Sequence, residues 1–208
     1  MYNLSTNFKP YIFFRSASIR TEGKSSAAAA CCLTFSCLLR HNAAMIPTSH
    51  EYYMQQALRE AEKAEAQGEV PVGCVIVLEN HIIGRGYNQR EMLQDPTAHA
   101  EMIAITAAAE HHGSWRLEKA RLYVTLEPCP MCAGAIILSR IAEVYFGAYD
   151  PKAGCCGSLM NLLEDTRFNH RPAVIGGLCE EACGTVLSNF FRNIRDRQKF
   201  GKERASDN

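Results

Sequence analysis

The chain has 208 residues, of which 47% are hydrophobic, and its 22 basic residues are balanced by 22 acidic ones. A net charge of zero argues against a general nucleic-acid-binding protein, which would carry a basic surface, and we expect no DNA partner. No apolar run reaches the roughly 20 residues that cross a bilayer, so we expect no membrane partner either.

The first 45 residues differ in composition from the rest. They are rich in Ser and Ala, carry an apolar run from Ala27 to Leu39, and hold five basic residues against the single acidic Glu22. Two interpretations stay open. One is a targeting segment, because transit sequences are basic, Ser-rich and poor in acidic residues. The other, which we favour, is a start codon upstream of a true start at Met45. Either way, we predict a disordered extension over residues 1–45.

Residues 46–200 are predicted to form one domain of alternating helices and strands. Apolar residues at helical spacing from Tyr53 to Ala64 predict a first helix that ends before Gly68. Two strands, at 72–78 and 82–87, are separated by only three residues and should form an antiparallel hairpin. Further along, the pattern predicts a helix at 98–111, a strand at 121–126, a helix at 130–139 and a strand at 143–147. The succession of strand, helix and strand predicts that the strands at 121–126 and 143–147 are parallel neighbours in the sheet.

The centre of the chain carries the spacing of a metal site. His99 is followed two residues later by Glu101, and further on stands Pro128-Cys129-Pro130-Met131-Cys132. One imidazole and two thiolates neutralise Zn²⁺ and leave a fourth tetrahedral position for water, which is typical of a catalytic zinc site. Such a water loses its proton near neutral pH, and Glu101, which is not a ligand, is placed to move that proton. We therefore predict one zinc ion per chain.

These residues also have simpler interpretations. A Cys-x-x-Cys pair alone is often a redox couple or half of a structural zinc site. A histidine in an Ala-rich stretch often only packs in a core. A structural site needs a fourth protein ligand, however, and no Cys or His pair recurs at matching spacing. A redox pair would use neither His99 nor Glu101, so the joint occurrence favours the catalytic zinc.

Ten cysteines in the chain raise the question of disulfides. Two of them are the predicted ligands, and the neighbours Cys155 and Cys156 lie in a Gly-flanked loop, where adjacent cysteines rarely bond each other. We therefore expect free thiols in a reducing compartment, the cytoplasm. The sequence assigns no role to Cys155 or Cys156.

The last predicted helix is both apolar and basic. Its apolar stripe consists of Cys179, Ala182, Cys183, Val186, Leu187, Phe190 and Ile194. Six basic residues between positions 192 and 204 face two acidic ones. Unpaired bases stack on aromatic rings while phosphates meet cations, so Phe190, Phe191 and Arg192 could contact RNA. A solvated helix end explains the same charges, and both interpretations stay open. Residues 201–208 are predicted to be a flexible basic tail.

The two central segments match the signature of zinc-dependent nucleobase deaminases, H-x-E followed by P-C-x-x-C. From about His50 to Arg197 the chain resembles one family, the bacterial tRNA-specific adenosine deaminases. The segments that carry this resemblance are 69–73, 86–88, 95–101, 122–129, 132–135, 157–160 and 190–192. The resemblance implies an α/β fold: the three-layer α/β/α cytidine-deaminase-like fold, with a mixed, mostly parallel five-stranded sheet.

The resemblance also implies a reaction, namely hydrolytic deamination of the wobble adenosine, position 34, to inosine in tRNA, chiefly the arginine tRNA with anticodon ACG. A zinc-activated hydroxide would attack C6 of adenine, and Glu101 would shuttle the proton. The implied partners are the tRNA anticodon loop and a second copy of the chain in a homodimer. The implied substrate contacts are Asn88, Ala98, Asp150, Phe190, Phe191 and Arg192.

Alternatives to this function stay open. Asn88 after a strand, and Asp150 before a proline, could simply form turns. The same metal set serves enzymes that deaminate free bases or nucleosides. A zinc-folded subunit without activity is a third possibility, but such subunits tend to lose the proton shuttle, and Glu101 is present here.

Overall fold

One five-stranded sheet with helices on both faces organises residues 49–206, which are the residues that the computed structural model describes. Burial is described for residues 49–199. The predictions made for residues 1–45 lie outside the described residues. In chain order the elements are α1 (His50–Ala66), β1 (Gly73–Leu78), β2 (His81–Tyr87), α2 (Arg90–Leu93), α3 (Ala100–His112), β3 (Arg121–Leu126), α4 (Pro130–Ser139), β4 (Glu143–Ala148), β5 (Ala173–Ile175) and α5 (Glu180–Ser206).

The predicted elements are present, with small shifts at their ends. The helix predicted from residue 98 begins at Ala100, because His99 precedes it as the N-cap. The boundary predicted at residue 200 is not the end of the last helix, which continues to Ser206 through Lys and Arg residues that favour helix. The short elements α2 and β5 were not predicted, because four and three residues carry no readable periodicity.

The strand order is β2-β1-β3-β4-β5. β1 and β2 form the predicted antiparallel hairpin, and β3 and β4 are parallel neighbours, as the strand-helix-strand order predicts. The strand β5, which was not predicted, also pairs parallel with β4. The sheet is mixed, because β1 pairs antiparallel with both β2 and β3, and it is mostly parallel, as predicted, because the other four strands run in one direction. After β2 the crossover through α3 carries the chain past β1, so β3 runs in the direction of β2 and against β1.

The two faces of the sheet bury different sets of apolar side chains. In β1, Val75 and Val77 pack with the α1 residues on one face, whereas Cys74 and Ile76 pack with α3 and α4 on the other. This alternation follows from the two-residue period of a strand. Both faces are covered, which gives the predicted three layers. Within residues 49–206 no helix combines the length and the apolar character needed to traverse a bilayer.

A buried carboxylate ties α1 to the edge strand. Glu60 accepts hydrogen bonds from Arg85 of β2 at 3.1 Å and from Lys63 at 2.6 Å. Its side chain is nearly inaccessible, and both cations remain partly in water. The ion pair with Arg85 holds α1 against β2, on the opposite side of the sheet from α3.

Close packing against β2 fixes the start of α3. A Cβ atom at Gly86 would lie 2.3 Å from the carbonyl oxygen of Ala100 and 2.7 Å from the nitrogen of Ala104. Only glycine allows this approach of strand and helix. The first turn of α3, which carries Glu101, is consequently seated directly on the sheet.

Candidate metal centre and active site

His99 and Cys129 are the N-cap residues of α3 and α4. Both have extended backbone, with φ and ψ of −81° and 155° for His99 and of −75° and 174° for Cys129. Pro130 occupies the first helical position of α4, as predicted, and Cys132 follows within the same turn. The positive ends of two helix dipoles are therefore close to the thiols, which favours thiolate.

The three predicted ligands lie together. His99 Nδ1 is 3.7 Å from Cys129 Sγ and 3.6 Å from Cys132 Sγ, and all three donor atoms lie within 4.8 Å of one another. Zinc bonds of about 2.3 Å to sulfur and about 2.0 Å to nitrogen, at a tetrahedral angle, separate such atoms by about 3.5 Å. The donor set therefore fits zinc in both chemistry and spacing. Within residues 49–206, these three side chains are the one group of His, Cys, Asp or Glu whose donor atoms lie close enough together to hold a metal ion.

The two thiols differ in acidity. A side-chain hydrogen bond with Cys132, aided by His99, lowers the pKa of Cys129 to about 4, against the opposing effect of burial. The same bond raises the pKa of Cys132, and burial adds to that rise. The hydrogen bond with Cys129 raises the pKa of His99. Binding of a metal by Cys132 would therefore release the proton of its thiol.

Glu101 lies beside the ligands without belonging to them. Its side chain is only 4% exposed, and it lines the same cavity as His99 and Cys129. Burial raises the pKa of Glu101, which suits a group that accepts a proton and later returns it. The structure thus brings Glu101 into the same cavity as two of the predicted ligands, His99 and Cys129.

The ligands open into a cavity of about 580 Å³. This volume is in the usual range for a small-molecule site, roughly 300–1,000 Å³. The cavity is lined by Asn88, Glu101 and the two ligands His99 and Cys129. The rest of its wall is formed by Val70, Val72, Arg90, Leu126, Glu127, Tyr149, Asp150, Pro151, Lys152, Ala153, Leu187, Ser188 and Phe191. Tyr149 and Phe191 are large aromatic side chains that remain about half exposed, so rings and cations meet at the edge of an otherwise apolar cavity.

Asn88 is nearly buried in the cavity wall, and its amide has a structural role as well. Its Oδ1 accepts a hydrogen bond of 3.0 Å from the backbone N–H of Ala100, the first residue of α3. This bond fixes the helix start between His99 and Glu101. The Nδ2 group of this amide makes no hydrogen bond within residues 49–206.

Two other predicted contacts are placed differently. Asp150 lines the cavity, and its Oδ1 accepts from the backbone N–H of Lys152 at 2.9 Å, so the turn interpretation also holds. Ala98 is buried and is not part of the cavity wall. Its carbonyl oxygen accepts from the N–H of Gln89 at 3.0 Å. Ala98 therefore supports the loop before His99 rather than the wall itself.

The three RNA contacts predicted on α5, Phe190, Phe191 and Arg192, lie in different surroundings. Phe191 is 44% exposed and lines the cavity, whereas Phe190 is 8% exposed and outside the cavity wall. The structure does not bring Phe190 to the site, because it lies on the apolar stripe of α5. Arg192 is exposed and lines a second cavity of about 560 Å³. Tyr149 and Ser188 border both cavities, so Arg192 is a neighbour of the site rather than part of it.

Sequence reasoning missed two polar residues of the wall. Arg90 lies on α2, whose position is fixed by a 2.8 Å hydrogen bond from the backbone N–H of Met92 to buried Glu69. Glu127 follows β3 and is held ionised: burial opposes the charge, but hydrogen bonds from Ser158 and backbone amides hold the pKa of the carboxyl below its usual range. Its place directly before Pro128 was the one available signal.

Comparison with known proteins gives consistent findings. A family model of the cytidine and deoxycytidylate deaminase zinc-binding region matches residues 47–148, which include the three ligands and Glu101. A tRNA-specific adenosine deaminase of Bacillus subtilis is 54% identical over 160 residues, covering 77% of this chain and 99% of that protein. A protein of the same name from Streptococcus pyogenes is 49% identical over 151 residues, covering 73% of this chain and 88% of that protein.

One solved structure is similar in both sequence and fold. It comes from a study of A-to-I editing by tRNA:A34 deaminases at the wobble position of transfer RNA. It is 44% identical to this chain, covers 65% of it and 99% of its own length, and superposes with a TM-score of 0.63. The sequence comparisons, the fold and the three donor side chains therefore all indicate the same family of zinc-dependent deaminases.

Proposed function

The chain belongs to the cytidine and deoxycytidylate deaminase family, as a zinc-dependent hydrolase of its tRNA-specific adenosine deaminase branch, and on this basis we propose that it converts the wobble adenosine of tRNA to inosine. The observation that carries the proposal is a cavity lined by the carboxylate of Glu101 and by His99 and Cys129 of the ligand group, with exposed aromatic and basic side chains at its rim. Such a rim suits an unpaired base of an RNA loop.

The residues of the site divide the chemistry among them. His99, Cys129 and Cys132 would hold a zinc ion, which would supply a Lewis acid that lowers the pKa of water to near neutral. Glu101 takes one proton from the attacking water and delivers it to N1 of adenine. It then takes the proton of the hydroxyl formed at C6 and passes it to the amine, which leaves as ammonia as the C6 carbonyl forms. The balance is adenosine and water in, inosine and ammonia out.

The substrate base must be held with its C6 towards the ligands. Asn88 offers its Nδ2 hydrogens to the base, and Val70, Val72 and Leu187 supply apolar contact in the cavity. Because a base must leave its stack to enter, an unpaired anticodon loop costs less than a duplex, where each unstacked base costs a few kcal/mol. This supports an anticodon loop over double-stranded RNA.

The rim of the cavity supports a polynucleotide over a free nucleoside. Phe191 and Tyr149 present half-exposed rings on which neighbouring bases can stack, and Lys152 and Arg192 are exposed cations at the same edge for phosphates. A free nucleoside would use none of these groups. We propose the arginine tRNA with anticodon ACG as the chief substrate, on the strength of the family resemblance.

Two further proposals accompany the substrate. The homodimer would cover apolar side chains that a single chain leaves exposed, of which Leu138 at 73% is the most exposed in the described part. Sedimentation equilibrium tests it. The cytoplasm suits an enzyme of tRNA whose thiols must stay reduced, and the seven cysteines within residues 49–206 are all free.

The test compares three substrates under identical conditions. Zinc-loaded protein is incubated with an ACG anticodon stem-loop, with free adenosine and with free cytidine, and the products are separated by liquid chromatography. We expect inosine from the stem-loop alone. Activity on either free compound without activity on the stem-loop would return the chain to the alternative of a free-nucleoside deaminase, and no activity on any would indicate an inactive subunit.

A further inference from the structure

Glu127 is a buried carboxylate in the cavity wall that the proposed chemistry does not use. It directly follows β3 and precedes the ligand Cys129 by two residues. Its side chain is 2% exposed. Burying a carboxylate is costly unless hydrogen bonds compensate it, so its partners indicate its role.

Four donors occupy this carboxylate. Its Oε1 accepts from the backbone N–H groups of Cys156 at 2.9 Å and Ser158 at 3.0 Å. Its Oε2 accepts from the backbone N–H of Asp150 at 3.0 Å and from the hydroxyl of Ser158. A carboxylate has about four lone-pair sites, so none remains for a substrate. Glu127 therefore does not act as a second acid or base.

All four donors belong to one segment, residues 150–158. The first part of this segment, Asp150 to Ala153, forms one wall of the catalytic cavity. A second link attaches the segment to the metal centre, because the N–H of Cys155 donates to the carbonyl of Pro128 at 2.9 Å. The wall and the ligand-bearing chain are thereby joined at the carboxylate.

The segment is also shaped to fit this carboxylate. A Cβ atom at Gly154 would lie 2.3 Å from the carboxyl carbon of Glu127 and 2.6 Å from the carbonyl oxygen of Asp150. The carbonyl belongs to the backbone and the carboxyl is held by four bonds, so neither can easily give way. Glycine at this position lets the chain wrap closely around the carboxylate.

We propose that Glu127 is a positioning residue that sets the cavity wall formed by residues 150–153, and thereby the placement of the substrate. It acts through the segment and does not touch the RNA. The inference deepens the proposed function, since its kinetic arm rests on that function, but the position of the wall can be measured without any substrate.

Glu127→Gln is the decisive variant. It keeps the size of the side chain but replaces one acceptor oxygen with an NH₂ donor, which cannot bond to the backbone N–H groups that it faces. Glu60→Gln is the matched control. It also alters a carboxylate that is buried and hydrogen-bonded, but its partners Lys63 and Arg85 lie outside the cavity wall.

Three readouts separate positioning from general stability. Zinc content should stay at one ion per chain in both variants. The backbone amides of Asp150, Cys156 and Ser158 should exchange with deuterium faster in Glu127→Gln only. With the ACG stem-loop, Glu127→Gln should raise KM about 10-fold and change kcat less than about 3-fold, as expected when hydrogen bonds that shape a binding wall are lost.

A milder variant covers the case in which Glu127→Gln does not fold. Ser158→Ala removes only the hydroxyl donor and should raise KM in the same direction by a smaller factor. Unchanged amide exchange and unchanged KM in the folded variants would overturn the inference, as would equal effects in Glu60→Gln. If the unaltered protein makes no inosine at all, the proposed function fails, and amide exchange alone then decides the role of Glu127.

Discussion

His99 and Cys129 hold equivalent positions at the starts of two helices, and their Nδ1 and Sγ atoms lie 3.7 Å apart. The distance is set by the backbone. One helix is seated on β2 at Gly86, and the other follows β3 with Pro130 in its first turn. The backbone thus holds the two ligands in place, which lowers the entropy cost of binding a metal ion.

Replacing a ligand should remove the metal without unfolding the helix. Cys129→Ser loses the thiolate, but serine is a favoured N-cap residue, so the start of α4 should be kept. We expect the variant to lose its zinc during dialysis against a chelator and to keep its circular dichroism. Cys179→Ser, which alters a thiol away from the ligands, is the control and should keep one zinc per chain. Retention of zinc by Cys129→Ser would show that the ligand set is wrong.

Replacing the proton shuttle should stop turnover and leave the metal in place. Glu101→Gln keeps the shape of a buried side chain but cannot accept and return a proton. We expect inosine formation to fall by a factor of about 100 to 10,000, the usual contribution of a general acid or base. Zinc content and melting temperature, measured on the same sample, should be close to those of the unaltered protein. Turnover near the original rate would remove Glu101 from this role.

Replacing the two adjacent phenylalanines of α5 should have different effects, one on RNA binding and the other on stability. Phe191→Ala removes a half-exposed ring from the cavity rim and should weaken stem-loop binding by about 1–3 kcal/mol, the value of one stacked base. Phe190→Ala empties a buried position and should cost about 3–5 kcal/mol of unfolding free energy. Binding titrations and urea unfolding of both variants check this pair. If stem-loop affinity is unchanged in Phe191→Ala, stacking on this ring is excluded.

Crowding the contact between β2 and α3 should destabilise the domain. Gly86→Ala places a Cβ atom 2.3 Å from the backbone of α3, and relief of that overlap should cost about 1–3 kcal/mol. Gly184→Ala, on α5, meets no heavy atom within 4 Å and should instead stabilise by about 0.5–1 kcal/mol. Urea unfolding measures both. Equal stability of the two variants would contradict the close seating of α3.

The sequence predicts the metal centre well, because its determinants are local. Pro130 at the first helical position and the three-residue spacing of the cysteines define the geometry of α4 without any knowledge of the rest of the fold. The hairpin of β1 and β2 and the strand-helix-strand unit that ends in β4 are predicted for the same reason. The antiparallel pairing of β1 with β3 depends on which strand the crossover reaches, and no local pattern reports that.

The wall of the cavity is predicted less well, because it is assembled from distant segments. Arg90 lies on a helix too short to show a period, and Glu127 meets its partners some 23 to 31 positions further along the chain. Phe190 shows a different limit. The sequence pattern itself places Phe190 on the apolar stripe of α5, and a side chain that is buried on this stripe is not available to contact RNA.

The most direct test of the proposed function is where in an RNA the reaction occurs. A full-length arginine tRNA transcript with anticodon ACG is incubated with zinc-loaded protein and then sequenced, because inosine is read as guanosine. We predict conversion of the wobble adenosine and of no other adenosine, and none with Glu101→Gln. An unchanged wobble adenosine, together with deamination of free nucleosides by the same preparation, would contradict the account.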